Sequence, residues 1–140
     1  MMNKIIISSL FVSLVLFCNP KEDHSDQAKI FVDKYYQFWN EKKVQDIGEI
    51  FSNEAVYRDL SQGKSYIGNK EITSYMNSTF EDYSELNMKA LDVISQNPNK
   101  IVIQWLMSGK DNKGDKFEFE GTSILELKNG KIIKNSDYYK

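Results

Sequence analysis

Two aspartates, Asp59 and Asp137, are the side chains in this sequence best suited to moving a proton, because each ends or interrupts a strand pattern otherwise rich in apolar residues. A carboxylate on the pocket side of a sheet is desolvated, its pKa rises, and it can exchange a proton near neutral pH. The alternative for Asp59 is to cap the following turn, and for Asp137 to face water at a fraying end. Strand alternation links each aspartate to companions. If Asp59 points inward, so does Tyr57, while Val56 and Arg58 point outward; the opposite register would turn Arg58, the sole arginine, into the pocket. On the last strand Asp137 shares a side with Ile133, Asn135 and Tyr139. Trp105, Phe117 and Phe119 supply apolar walls or plain core, and Asp92 is a weaker third carboxylate on an imperfect strand.

Other chemistries lack their residues. His24, the one histidine, falls in a polar stretch ahead of the first helix. Ser-His-Asp and Cys-His arrangements, and multi-histidine metal sites, need imidazoles near the reacting centre. No metal and no cofactor is therefore expected. The formal charge of −2, with charged residues dispersed along the chain, offers no basic stripe for phosphates and argues against a nucleic-acid partner. Aromatics make up 13%, which furnishes large rigid surfaces for a core or for a ligand cavity.

The elements that must hold these residues begin after a leader. Met1 to Lys4 is a short n-region and Ile5 to Phe17 an apolar run, too short for the ~20 residues of a membrane span and suited to a signal-peptide h-region. Residues 1–17 are accordingly read as a signal peptide and 18–25 as a polar tether. The run ends in Cys18 followed by Asn19, Pro20 and charged residues, which resembles a bacterial lipoprotein signal, although Phe17 stands where a small residue is usual. On that resemblance Cys18 is lipidated and anchors an exported protein in the cell envelope; otherwise its thiol is incidental to a differently processed leader. A lone cysteine forms no internal disulfide.

Residues 26–140 read as one α+β domain. Asp26 caps a helix whose Ala28, Phe31, Val32, Tyr35, Phe38 and Trp39 form an apolar stripe. Val44, Ile47, Ile50 and Phe51 predict a short second helix ended by Ser52 and Asn53, Ala55 to Asp59 a strand, and Ile72, Tyr75, Met76, Thr79 and Phe80 a third helix. Period-two patterns then predict antiparallel strands: Leu86 to Ser95, a long one through Ile101, Ile103, Trp105 and Met107, another through Phe117, Phe119, Leu125 and Leu127, and a last from Ile132 to Tyr139 after an Asn129-Gly130 turn. Gly121 is a candidate bulge.

That order of elements, the strand Glu54-Ala55-Val56-Tyr57-Arg58-Asp59, the segment Tyr66-Ile67-Gly68-Asn69-Lys70-Glu71-Ile72 opening the third helix, and the closing Leu125-Glu126-Leu127-Lys128-Asn129-Gly130-Lys131-Ile132-Ile133 with Asp137-Tyr138 resemble the SnoaL-like branch of the NTF2-like superfamily. The resemblance implies a cone, with N-terminal helices packed on a strongly curved, mostly antiparallel sheet that encloses a pocket. It implies a carboxylate base at Asp59, an oxyanion-donating phenol at Tyr35, and a last-strand carboxylate of polyketide-cyclase type at Asp137. Thr122 and Ser123 stand where isomerases of the superfamily place a second, acidic oxyanion donor, which argues against steroid isomerisation as such. An Asp-Arg-Asp arrangement, as in epoxide-hydrolase members, would require the inward register of Arg58.

Two classes of function follow. One is an exported, lipid-anchored module that binds a small hydrophobic or aromatic molecule among Tyr57, Trp105, Phe117, Phe119, Asn135, Tyr139 and Trp39. The other is an isomerase or cyclase in which Asp59 or Asp137 moves a proton beside a carbonyl while Tyr35 or Tyr57 steadies the enolate. An exported location favours binding, since a biosynthetic cyclase works beside its synthase. A homodimer formed through the sheets, serving mainly as an envelope protein, is the third expectation.

Overall fold

A computed structural model describes residues 24–140. The leader, Cys18 and most of the tether lie outside the described residues. The chain is helical from His24, so His24 belongs to α1 (His24–Asn40) and not to the tether. The anticipated stripe is what α1 buries: Ala28, Val32, Tyr35, Phe38 and Trp39, with Tyr36 beside them. At its end Asn40 clamps the helix to the sheet, its side-chain amide donating to Met88 O at 3.0 Å and its carbonyl accepting from Met88 N at 2.6 Å.

The second helix is shorter than its pattern suggested. A 3-10 turn at Val44–Asp46 leads into α2 (Ile47–Ile50), and the chain is already extended at Phe51. Phe51 and the two residues after it open β1 (Phe51–Asp59), because Phe51 pairs in parallel with Ile132 of the last strand; ladder bonds outweigh one more helical turn. A short β2 (Lys64–Ile67) pairs back on β1 and runs into α3 (Gly68–Asp82), whose Ile72 and Met76 are buried. Four long strands follow: β3 (Tyr83–Asn97), β4 (Lys100–Asp111), β5 (Lys116–Lys128) and β6 (Lys131–Tyr139).

The strands form one curved six-stranded sheet in the order β2-β1-β6-β5-β4-β3, antiparallel except for β1 against β6. Consecutive hairpins build the β3 to β6 meander, and β6 then lies between β5 and the early strand β1. That parallel pairing sets Tyr57 opposite Asn135 and Asp59 opposite Asp137, which gathers residues about 80 positions apart. Helix α1 packs on β3 and α3 on β1, closing the concave side.

The bends lie elsewhere than at Gly121. Register shifts fall along β3, at Glu126/Leu127 against β6, and in the first half of β1, whereas β4 and β5 pair without interruption through Trp105 and Gly121. Gly121 is a clearance instead: a Cβ there would lie 2.2 Å from Cζ2 of the Trp105 indole, which crosses that spot. The shift in β6 also changes a face. Ile132 is the buried residue and Ile133 is half-buried, so the inward set is Ile132, Asn135 and Asp137, not Ile133.

Candidate functional site

The concave side of the sheet and the two long helices leave a cavity of about 380 Å³. Its walls are aromatic on three sides: Tyr35, Tyr36 and Trp39 from α1, Tyr57, Tyr66 and Tyr75 from β1, β2 and α3, and Trp105, Phe119 and Tyr139 from the sheet. Tyr83 completes seven of the eight tyrosines in the chain. Ring contacts tie the walls together, with Tyr66 stacked on Tyr75 at 4.3 Å and Trp105 against Phe119 at 5.9 Å.

Asp137 is the buried carboxylate of this cavity, 7% exposed, whereas Asp82 on the same wall is exposed to solvent. Its position follows from the inward phase of β6. Ser123 Oγ on β5 donates to Asp137 Oδ1 at 2.5 Å, and the Tyr57 hydroxyl on β1 donates to Oδ2. The direction of the first bond is set one step away. Trp105 Nε1–H, which can only donate, takes the Ser123 oxygen at 2.9 Å and leaves the serine hydrogen for the carboxylate. Burial pushes Asp137 up to about 6; hydrogen bonds from Ser123, Tyr57 and Asn135 oppose that rise, and the charge of Asp59 adds to it. An acid so placed changes protonation state in the range where general acid–base catalysts work.

Tyr35 also lines the cavity, and burial raises its phenol well above the ordinary value, with the Asp137 charge as a second cause. Tyr57 is raised in the same way. Both are therefore neutral hydrogen-bond donors at physiological pH. Asn135, fully buried, offers its amide to Tyr35 Oη at 3.5 Å, while its carbonyl oxygen has no partner. Tyr36 Oη on the cavity wall is likewise buried without a partner.

Asp59 faces inward together with Tyr57, and Arg58 stands on the other face, half-buried. Yet Asp59 is not on the cavity wall. Its Oδ1 accepts from the backbone N–H of Gln62 at 3.0 Å, capping the turn after β1, and its Oδ2 accepts from Tyr139 Oη at 2.6 Å. Gln62 closes the ring by donating Nε2–H to Tyr139 Oη at 3.0 Å, and Ser61 Oγ accepts the Tyr139 backbone N–H at 2.7 Å. Through these contacts Asp59 holds Tyr139 against the cavity. Phe117 stands outside the wall, tilted on Tyr83 with ring centres 4.6 Å apart.

The structure thus brings Asp137, Tyr35, Tyr57, Trp39, Trp105, Phe119 and Tyr139 to one cavity, with Asn135 behind Tyr35. Sequence reasoning passed over Tyr36, Tyr66 and Tyr75 as wall residues, and over Ser123 as the donor to Asp137. The signal for Ser123 was present, since it continues the odd-numbered inward face of Phe117, Phe119, Leu125 and Leu127. Tyr75 was marked only as part of the third helix's apolar face and Tyr66 only within the segment that opens that helix, because the two meet only when β2 and α3 fold over β1. Among the described residues no cluster of His, Cys, Asp and Glu has the arrangement to hold a metal ion.

Comparisons with known proteins agree with this architecture. The SnoaL-like domain profile matches residues 32–135. Among curated proteins, none matches the chain. Of solved structures, a candidate SnoaL-like polyketide cyclase from Jannaschia sp. CCS1 superposes with a TM-score of 0.74 at 12% identity, covering 86% of this chain and 90% of that one. An NTF2-like protein of unknown function from Exiguobacterium sp. 255-15 gives 0.68 at 20% identity, over 79% and 98% of the two chains. A candidate polyketide cyclase from Xanthomonas campestris pv. campestris gives 0.69 at 16% identity, over 84% and 93%. At such identities the likeness is one of fold. With a profile match over most of its length and the cone around an acid-bearing cavity, the chain belongs to the SnoaL-like domain family of the NTF2-like fold.

Proposed function

We propose that the cavity binds a small molecule with an apolar or aromatic body and that Asp137 exchanges a proton with it, as in an isomerisation or ring closure beside a carbonyl group. The observation that carries this reading is the state of Asp137: a buried carboxylate on the cavity wall, poised at about 6, whose two oxygens each accept a hydroxyl hydrogen. Those donors favour the ionised form, and each carboxylate oxygen keeps a second lone pair for a substrate proton. Tyr35, neutral and buried a short way along the wall, is suited to donate to an enolate oxygen. Asp59 acts through Tyr139 as a positioning residue. No metal or nucleotide is invoked.

Binding without turnover is the second reading. It draws on the same two hydrogen bonds, because a carboxylate already occupied by Ser123 and Tyr57 also makes sense as the cross-link that ties β1, β5 and β6 together. Export by the leader and lipidation of Cys18 belong to the proposal as well; the apolar run from Ile5 to Phe17 and the polar residues after Cys18 support them.

Native mass spectrometry of the full chain purified from its own host tests ligand and anchor together. A co-purifying small molecule and a diacylglyceryl mass on Cys18 are expected. With the ligand in hand, Asp137→Asn separates the two readings. Conversion lost while binding persists supports proton transfer, with a wild-type rate that rises as pH passes 6; a ligand recovered unchanged after incubation with wild-type protein leaves binding alone.

A further inference from the structure

We infer that the molecule taken up in this cavity carries an organic ammonium group, protonated or quaternary, held against the tyrosine rings and neutralised by the carboxylate side of the cavity. The inference rests on the reading above in using the same cavity as the ligand site. It adds the charge of the ligand.

Fixed charge is the first support. Asp137 and Asp59 are 7% and 0% exposed, and no lysine, arginine or histidine is buried among the described residues. The interior therefore holds two acids and no cationic counterpart. Helix α3 adds its dipole to the same sign, since its last turn brings Thr79 to the cavity wall and contains no basic residue; Asp82 in that turn is exposed and counts no more than the exposed lysines. The carbonyl end of a helix carries partial negative charge.

The walls are the second support. Aromatic rings present negative faces, and a box of them around a cation with methyl groups is the recurrent way of binding quaternary ammonium. The third is Tyr36 Oη, which is buried on the cavity wall without a partner and is available to accept an N–H or to face an ammonium with its lone pairs. Against these stand Lys64 and Lys140 at the mouth. Both are exposed, where water and salt screen them, whereas the acids act through a desolvated interior. The deeper field decides the preference.

The probes are choline, its neutral isostere 3,3-dimethylbutan-1-ol, and benzoate, titrated into the full chain by calorimetry at about pH 7.5, where Asp137 is ionised. Choline is expected to bind at least about tenfold more tightly than the isostere, a difference of ~1.4 kcal/mol. In Asp137→Asn, checked for native circular dichroism, that preference should shrink to about threefold or less. The wild-type comparison needs no variant and stands even if the substitution impairs folding. Equal or tighter binding of the isostere overturns the inference while leaving the cavity a small-molecule site. Tighter binding of benzoate overturns it in favour of the lysine rim. Absence of choline binding at tens of millimolar also overturns it.

Discussion

Replacing Asp137 by asparagine should change how stability depends on pH, and the sign of that change tests the account of the site. The carboxyl lies at about 6 in the folded protein against an ordinary 3.8, a rise of about two units caused first by burial. At ~1.4 kcal/mol per unit this is ~3 kcal/mol. Because the folded value is the higher one, the proton is bound more tightly by the native state. The associated stability is complete below about pH 4 and is lost as pH climbs through 6. Wild-type protein therefore carries a cost of ~3 kcal/mol at neutral pH for keeping this carboxylate ionised in the interior. Asparagine cannot ionise, so it removes the slope, although its amide nitrogen cannot accept the hydrogen that Ser123 or Tyr57 presents and one hydrogen bond is lost, worth ~1 kcal/mol at all pH values. Urea unfolding of wild type and Asp137→Asn at half-unit intervals from pH 4 to 7.5 isolates the effect, since other titrating groups cancel in the difference. The variant should gain ~2–3 kcal/mol relative to wild type between the two ends. A flat difference, or one in which the variant loses ground as pH rises, is incompatible with a carboxyl raised by burial. Hydrogen bonds from Ser123, Tyr57 and Asn135 would then outweigh desolvation.

The same geometry yields other expectations. Gly121→Ala places a methyl group 2.2 Å from the Trp105 ring, so it should cost ~1–3 kcal/mol in chemical unfolding by overpacking, with a shift in tryptophan fluorescence as the indole leaves Ser123. Tyr57→Phe strips Asp137 Oδ2 of its hydroxyl donor and should move the Asp137 midpoint above 6 in a carboxyl-resolved NMR titration. Asp59→Ala leaves the Gln62 N–H and the Tyr139 hydroxyl without their acceptor and should destabilise by ~1–3 kcal/mol. It should loosen Tyr139 on the cavity wall, measurable as faster ring flipping by NMR, while the Asp137 titration survives.

How much of this was legible beforehand depended on the range of the interaction involved. Strand phase is local. Alternation alone put Tyr57 and Asp59 on one side of β1, and Trp105 with Ile101 and Ile103 on one side of β4. The stripe of α1 was readable for the same reason. Errors gathered where a distant partner overrides local preference. Phe51 continued a helical pattern, yet its pairing with Ile132 draws it into β1. Gly121 carried the mark of a bulge, but the space it leaves is filled by an indole from the neighbouring strand. Ile133 exchanged its face with Ile132 through a register shift that no pattern within β6 announces.

For the site, the composition set the chemical vocabulary: one histidine, one arginine, one cysteine, and an abundance of tyrosine and aspartate. Local alternation placed Tyr57 with Asp59 and Asn135 with Asp137 on common faces and left open which face is inward. The two aspartates were told apart by the folded sheet. The difference is one of position across the sheet. Asp59 and Asp137 stand opposite each other on β1 and β6, but Asp59 meets the turn that Gln62 closes and is taken up by it, whereas Asp137 meets Ser123 from β5 and the cavity between α1 and α3. Which donor a carboxylate finds depends on strands that lie far apart along the chain, and the folded sheet is what brings them together.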